Sequence, residues 1–224
     1  MSSQPSSTPS KVLVSDFDGT MTQHDFYKLA IELLLPRETP DYWVEYRAGT
    51  ITHFEALRRY FAAIRATNEE VLAVLRKMNL DSGLSMAVED LRQAGWQIVV
   101  ASAGCEWYIH RLLDEAGVSV EVHSNPGHLQ PGQGLQMEMP QGSPFLSATL
   151  GINKTAIVER FLADGAIVAF AGDGFPDADP ARLVPENLRF ARGDLASLFE
   201  AEGLAFRRFN VWSDIARVLL QESP

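Results

Sequence analysis

Cysteine is almost missing from this chain of 224 residues. Cys105 is the only one, so no internal disulfide can form, and a reducing compartment, the cytoplasm, is the expected location. Basic side chains are also scarce. Nineteen Lys and Arg stand against 29 Asp and Glu, a formal charge of −10. That deficit argues against a dedicated nucleic-acid binder, which needs a basic stripe to displace phosphate counterions. It equally disfavours docking on anionic membranes, and no apolar run reaches the length of a membrane span. The opening MSSQPSSTPS has neither a basic start nor an apolar stretch. It reads as a flexible tail over 1–10 and not as a secretory signal. The five histidines, His24, His53, His110, His123 and His128, show no metal-ligand spacing. What remains is 46% hydrophobic, enough at this length to bury a core without disulfides or structural metals.

Short β-branched runs alternate with helical patterns. Strands are expected over 11–15 (KVLVS), 97–101 (QIVVA), 119–122 (SVEV), 167–171 (IVAFA) and 188–191 (LRFA). Three of these are almost continuously apolar, as in parallel strands buried on both faces. Helices are expected over 85–95, 106–117, 154–165, 194–203 and 211–221, with Gly95, Gly117, Gly165 and Gly203 as stops. The alternation implies an α/β fold with a Rossmann-like parallel sheet and right-handed crossovers. One segment, 21–83, holds helical patterns at 25–35, 53–66 and 69–78 but no strand. The last pattern opens with a capping box of Thr67 and Glu70. It is far longer than a βα crossover needs and reads as an inserted small helical cap domain, leaving 11–20 and 84–224 as the core. A second insertion, 123–151, is rich in Gly, Pro and Gln, with a PGQG turn, and reads as a flap or hairpin.

The first strand runs into Ser15-Asp16-Phe17-Asp18-Gly19-Thr20. Two carboxylates two residues apart at a strand's C-terminal end face the crevice where doubly wound sheets bind ligands. Such oxygens suit a hard cation, with Mg²⁺ preferring few carboxylates plus water and phosphate. An Asx-rich turn ending the strand is the plainer alternative. The second strand ends in Ala101-Ser102-Ala103-Gly104 ahead of a helix, where a hydroxyl and free N–H groups can bind an anion, or Ser102 can simply cap the helix. A serine-hydrolase reading fails: the turn is not G-x-S-x-G, and no histidine follows His128. Lys154 sits at a helix start, against the helix dipole, which favours a partner anion over a solvated lysine. The fourth strand ends in Gly172-Asp173-Gly174-Phe175-Pro176-Asp177, with Asp179 as a further carboxylate. Cys105 reads as buried and inert despite its place near a helix start.

In this order, DFDGT, a strand-end serine, a helix-start lysine and GDGFPD resemble the four-motif signature of the haloacid dehalogenase-like hydrolases, over 12–191. The resemblance implies a sheet with the first and fourth strands adjacent at its centre. It implies Asp16 as the nucleophile that forms an aspartyl-phosphate, and Asp18 as an acid and then a base. Ser102, with the Ala103 and Gly104 amides, and Lys154 would bind the phosphoryl group. Mg²⁺ would sit on Asp16, Asp173 and the Asp18 carbonyl, with Asp177 acting through a metal-bound water. Asp18, two residues after the nucleophile, separates the phosphatases from the dehalogenases, so the implied ligand is a small-molecule phosphate monoester.

The cap position and DFDGTMTQHD, with Asp25, resemble the phosphoserine phosphatase-like branch. That branch carries Glu where Asp25 stands and GDGAND where GDGFPD stands. The nearer likeness is to the methionine-salvage 2-hydroxy-3-keto-5-methylthiopentenyl-1-phosphate phosphatases, on His123-Ser124-Asn125 and Phe190-Ala191-Arg192, though the cysteine-rich stretch of some of those enzymes is missing. Phosphoserine, phosphocholine and phosphoethanolamine are the alternative substrates. A phosphotransferase or mutase, or a non-catalytic phospho-ligand-binding module, is the alternative role. Substrate choice is expected where the cap faces the crevice, at Asp25, Tyr42, Trp43, Tyr46, Arg58 and Trp107.

Overall fold

A computed structural model describes residues 10–221; the expected tail, apart from Ser10, lies outside the described residues. The first strand, β1 (Lys11–Ser15), is buried from Val12 onward. Its side chains alternate between two apolar layers: Leu13 faces one, Val12 and Val14 the other. This is the period-two signature of a strand covered on both faces. Four helices follow: α1 (Phe26–Leu33), α2 (Tyr42–Arg47), α3 (His53–Ala62) and α4 (Asn68–Arg76). Thr67 and Glu70 form the expected capping box on α4, and Thr52 caps α3 by accepting the Glu55 N–H at 3.1 Å. Next come α5 (Leu84–Gln93), β2 (Trp96–Cys105), α6 (Glu106–Glu115) and β3 (Glu121–Asn125).

Two hairpins interrupt the alternation, within the stretch expected as a flap: β4 (Gly127–Gln130) with β5 (Gly134–Met137), and β6 (Leu146–Ser147) with β7 (Gly151–Ile152). The chain then returns to α7 (Lys154–Ala163), β8 (Ile167–Gly172), α8 (Ala178–Arg182), β9 (Arg189–Ala191), α9 (Gly193–Glu202), β10 (Arg207–Arg208) and α10 (Trp212–Gln221). Six parallel strands form one sheet in the order β10-β9-β8-β1-β2-β3. β1 therefore lies between β2 and β8, the adjacency of first and fourth strands that the motifs implied. The sixth strand was not legible in sequence, because β10 is two arginines long and carries no apolar pattern.

β2 corrects the sequence reading at a place that matters. It does not end at 101 but continues to Cys105, because pairing with β3 resumes at Cys105↔Asn125 after an irregularity. Helix α6 thus starts at Glu106 with Cys105 as its N-cap residue, and Ser102 does not cap it.

The helical segment does not float above the sheet. Phe26 packs its ring 5.4 Å from Phe61 and 4.8 Å from Tyr108 of α6. These residues belong to the same apolar cluster as Leu13, Phe17 and Val100. Burying each such ring contributes about 2–3 kcal/mol. Both hairpins brace α3. The Phe54 N–H donates to the Thr149 carbonyl at 2.9 Å, and a Cβ on Gly134 would sit 2.5 Å from the Phe61 carbonyl oxygen. At the far end, the indole N–H of the fully buried Trp212 donates to Ser15 Oγ at 3.0 Å, anchoring α10 under the end of β1. Among the described residues no helix is long and apolar enough to cross a membrane.

Candidate active site

The loops that leave the two central strands carry the acidic residues. Asp16 follows β1, and its N–H continues the sheet by donating to the Ala171 carbonyl at 2.9 Å. Its Oδ1 accepts the Phe17 N–H at 2.7 Å. Asp173 follows β8 and accepts the Thr20 hydroxyl at 2.8 Å. Asp177, four residues on, is completely buried. One of its oxygens accepts the N–H groups of Asp173 (3.2 Å) and Gly174 (3.1 Å). Lys154 enters from the first turn of α7. Its Nζ lies 2.6 Å from Asp177 Oδ1 and 2.9 Å from Asp16 Oδ1, and its side chain is buried. The helix-start lysine is therefore an internal counter-ion and not a solvated one.

Oxygens of Asp16, Asp173 and Asp177 all lie within 4.8 Å of one another. One ammonium cannot neutralise three carboxylates. Burial, then the Asp177 charge, holds Asp16 well above the ordinary carboxylate range despite Lys154. Burial, then Asp177 and Asp25, pushes Asp173 up to about 7. Burial opposes the charge of Lys154, but Asp16 and Asp177 outweigh it and its ammonium is held above its usual range. An all-oxygen donor set with surplus negative charge fits a hard divalent cation such as Mg²⁺.

The Asp18 carboxylate stands outside that cluster. Its Oδ1 accepts the Phe26 N–H at 2.9 Å and its Oδ2 the Tyr108 hydroxyl at 2.7 Å. Burial raises it to about 7 against both hydrogen bonds, so it can give and take a proton near neutrality. Two glycines make room here. A Cβ on Gly104 would meet the Tyr108 hydroxyl at 1.9 Å and Asp18 Oδ2 at 2.9 Å. Gly19 has φ +69°, and a Cβ there would fall 2.3 Å from Asp173 Oδ2 and 2.7 Å from Asp25 Oδ1, so only glycine serves.

Ser102 is buried, and its Oγ accepts the Gly104 N–H at 3.0 Å. The Gly104 amide is thus engaged by the serine, which corrects the expectation of free amides at a helix N-terminus. The Ala103 carbonyl accepts Asn125 Nδ2 at 2.7 Å, and the same amide reaches the Leu150 carbonyl at 3.2 Å. Asn125 thereby joins the end of β2, just after Ser102, to the turn that precedes Lys154. Sequence reading noted Asn125 only as part of a motif. The signal that fits it is Gly151, whose φ is +83° and whose absent Cβ would lie 1.7 Å from Asn125 Oδ1.

Asp25 stands beside this cluster, next to Gly19 and ion-paired to Lys28, without capping α1 through its side chain. The other expected specificity residues are engaged elsewhere. Tyr42, Trp43 and Tyr46 form an aromatic cluster with Tyr27, His53 and Tyr60; Trp43 lies 5.3 Å from Tyr27, 5.2 Å from His53 and 5.5 Å from Tyr46. Arg58 is held on the surface of α3 by both oxygens of Glu55. Trp107 lines an outer groove on α6 beneath the Arg111 guanidinium. Asp179 is exposed and pairs with Arg182. Burial drops His53 to about 4, with the Lys154 charge acting in the same direction. Cys105 is buried, and burial raises its thiol to about 12.

Comparison with known proteins gives three kinds of likeness. The family model described as haloacid dehalogenase-like hydrolase matches residues 13–181. The chain is 25% identical over 212 residues to a 2-hydroxy-3-keto-5-methylthiopentenyl-1-phosphate phosphatase of an Exiguobacterium species, covering 91% of this chain and 94% of that protein. It is 24% identical to Pdp3-interacting factor 1 of Schizosaccharomyces pombe, covering 92% and 93%. Among solved structures, a substrate-bound phosphoserine phosphatase superposes with a TM-score of 0.64 at 15% identity, over 97% of this chain and all of that one, which is a likeness of fold.

Proposed function

The chain belongs to the haloacid dehalogenase-like hydrolase family, and from that premise we propose that it is a Mg²⁺-dependent phosphatase of a small-molecule phosphate monoester. The observation that carries this reading is the different set of partners around two buried carboxyls two residues apart. Asp16 is clamped against Lys154. Asp18, held by Tyr108 and the Phe26 N–H, keeps its proton to about pH 7. Asp16 attacks phosphorus and forms an aspartyl-phosphate while Asp18 hands its proton to the leaving oxygen. Asp18 then takes a proton from the water that attacks the aspartyl-phosphate, releasing phosphate and restoring both residues. The Ser102 oxygen accepts from Gly104, which leaves its O–H to donate to a phosphoryl oxygen. Lys154 offsets charge beside the nucleophile. Asp16, Asp173 and the Asp18 carbonyl, with Asp177 assisting, would hold Mg²⁺, which would supply the positive charge that lets carboxylates and a phosphate share one cleft.

The substrate reading rests on the relative named for 2-hydroxy-3-keto-5-methylthiopentenyl-1-phosphate, which aligns along 91% of this chain. We take that enol phosphate as the first candidate. Phosphoserine follows on the likeness of fold, and phosphocholine or phosphoethanolamine on the Asp25 form of the first motif. The test is phosphate release with Mg²⁺ over these four and a generic aryl phosphate, with Asp16→Asn as the blank. One ester turned over far above the others identifies the substrate. Turnover that persists in Asp16→Asn refutes the nucleophile, and no turnover of any ester by the wild type favours a phospho-ligand-binding module.

A further inference from the structure

The mechanism above makes no use of Arg192, yet its side chain grips the loop after β1 at two carbonyls. Arg192 follows β9 as the N-cap residue of α9. Its Nε donates to the Gly19 carbonyl at 2.5 Å, its Nη2 to the Thr22 carbonyl at 2.7 Å and its Nη1 to the Asn210 carbonyl at 2.7 Å. The Phe209 ring lies 5.5 Å from the guanidinium carbon. The Arg192 backbone N–H donates to the Gly172 carbonyl at 3.2 Å, one residue before Asp173. Gly193 and Leu195 continue the link. Gly193, at φ +55°, allows a close approach: a Cβ there would sit 3.0 Å from the Asp173 carbonyl oxygen. The Leu195 N–H donates to that same oxygen at 2.9 Å.

Arg192 thus holds both acidic loops at once. Its side chain fixes the carbonyls on either side of Thr20, whose hydroxyl holds Asp173, and its backbone fixes the end of β8. All three of its closest acceptors are neutral carbonyls, and among the described residues no carboxylate forms an ion pair with it. Burial lowers its affinity for its proton, and the charges of Asp173, Asp25 and Asp81 work against that. A guanidinium remains charged under such conditions and offers a rigid fork of donors, which a lysine ammonium cannot match across three carbonyls.

We propose that Arg192 is a positioning residue of this phosphatase: it sets the spacing between the Asp16–Asp18 loop and the Asp173–Asp177 loop, and with it the affinity of the cleft for its divalent cation. The inference rests on the phosphatase reading, but part of its test does not. Arg192→Met and Arg192→Lys are compared with the wild type by Mn²⁺ binding, followed through the loss of free-ion electron paramagnetic resonance signal. They are also compared by Mg²⁺-supported hydrolysis of 4-nitrophenyl phosphate.

Arg192→Met is expected to weaken Mn²⁺ binding about tenfold and lower kcat about a hundredfold, with KM changed less than about threefold, and Arg192→Lys to fall between it and the wild type. Mn²⁺ affinity within about twofold of wild type in Arg192→Met overturns the proposal, whatever happens to melting temperature, because a merely structural residue would lose stability alone. If Arg192→Met does not fold, Arg192→Lys carries the test, with a Mn²⁺ affinity within about twofold of wild type again overturning it. Failure of both to fold assigns the residue to structure and overturns it too. A wild type that hydrolyses no phosphoester refutes the phosphatase reading and leaves the Mn²⁺ comparison to decide Arg192.

Discussion

Raising the pH of the metal-free protein from about 5.5 to about 7.5 is expected to destabilise it. Asp18 and Asp173 each keep a proton to about pH 7 in the fold, chiefly because they are buried, but release it near 3.8 in the open chain. A group whose folded affinity for protons is raised stabilises the fold below its unfolded pKa. That contribution drains away as the pH climbs through the folded value. For one carboxyl the whole contribution is on the order of 4 kcal/mol, of which about 2 kcal/mol is lost between those two pH values. Two carboxyls lose about 4 kcal/mol, and the raised Asp16 acts in the same direction. His53 opposes them. Burial drops it from 6.5 to about 4, so the open chain binds the extra proton and the fold gains about 1 kcal/mol as the pH rises. The net loss is about 3 kcal/mol, which for a chain of this size lowers the melting temperature by roughly 5–10 °C. The assay is a thermal melt in chelator at both pH values, repeated with excess Mg²⁺. The cation binds the ionised carboxylates, so Mg²⁺ is expected to restore stability at the higher pH and do little at the lower. A metal-free melting temperature that stays flat or rises over this interval would refute the buried, under-neutralised cluster.

Three further outcomes follow from individual contacts. Tyr108→Phe removes a hydrogen bond that lowers the proton affinity of Asp18. The alkaline limb of kcat/KM is therefore expected to move to higher pH, with a rate loss of about fivefold at neutrality, read from a pH–rate profile. Lys154→Met leaves Asp16 and Asp177 buried without their shared cation. It is expected to cost about 3–5 kcal/mol in urea unfolding at neutral pH and to lose less at acidic pH, where Asp16 takes up a proton. Gly104→Ala would force a methyl onto the Tyr108 hydroxyl, for a loss of about 1–3 kcal/mol. In a Tyr108→Phe background that loss should shrink, and equal losses in both backgrounds would place the strain elsewhere.

The sequence by itself determined the parallel sheet, the ends of its central strands and the residues that emerge there. Those features are local. The apolar runs of β1, β2 and β8 alternate between two buried layers, and periodicity, capping and turn residues are properties of neighbours in the chain. The resemblance carried by the order of the motifs, and not periodicity, implied that Asp16, Asp173, Asp177 and Lys154 share one site.

Tertiary structure alone decided how each of these groups is held and how it ionises. Asp18 meets Tyr108 across 90 positions, and Arg192 meets Gly19 across 173. No local pattern encodes either pairing, since both depend on which helix packs over which strand end. Ser102 was legible as a strand-end hydroxyl, but its bond to Gly104 depends on β2 pairing with β3 as far as Cys105. The aromatic residues of 42–60 carried the hydrophobic character of either a core or a binding surface, and packing assigned them to each other. The proton affinities of Asp16, Asp18 and Asp173 were beyond the sequence for the same reason: burial is their largest cause, and burial exists only once the chain has folded.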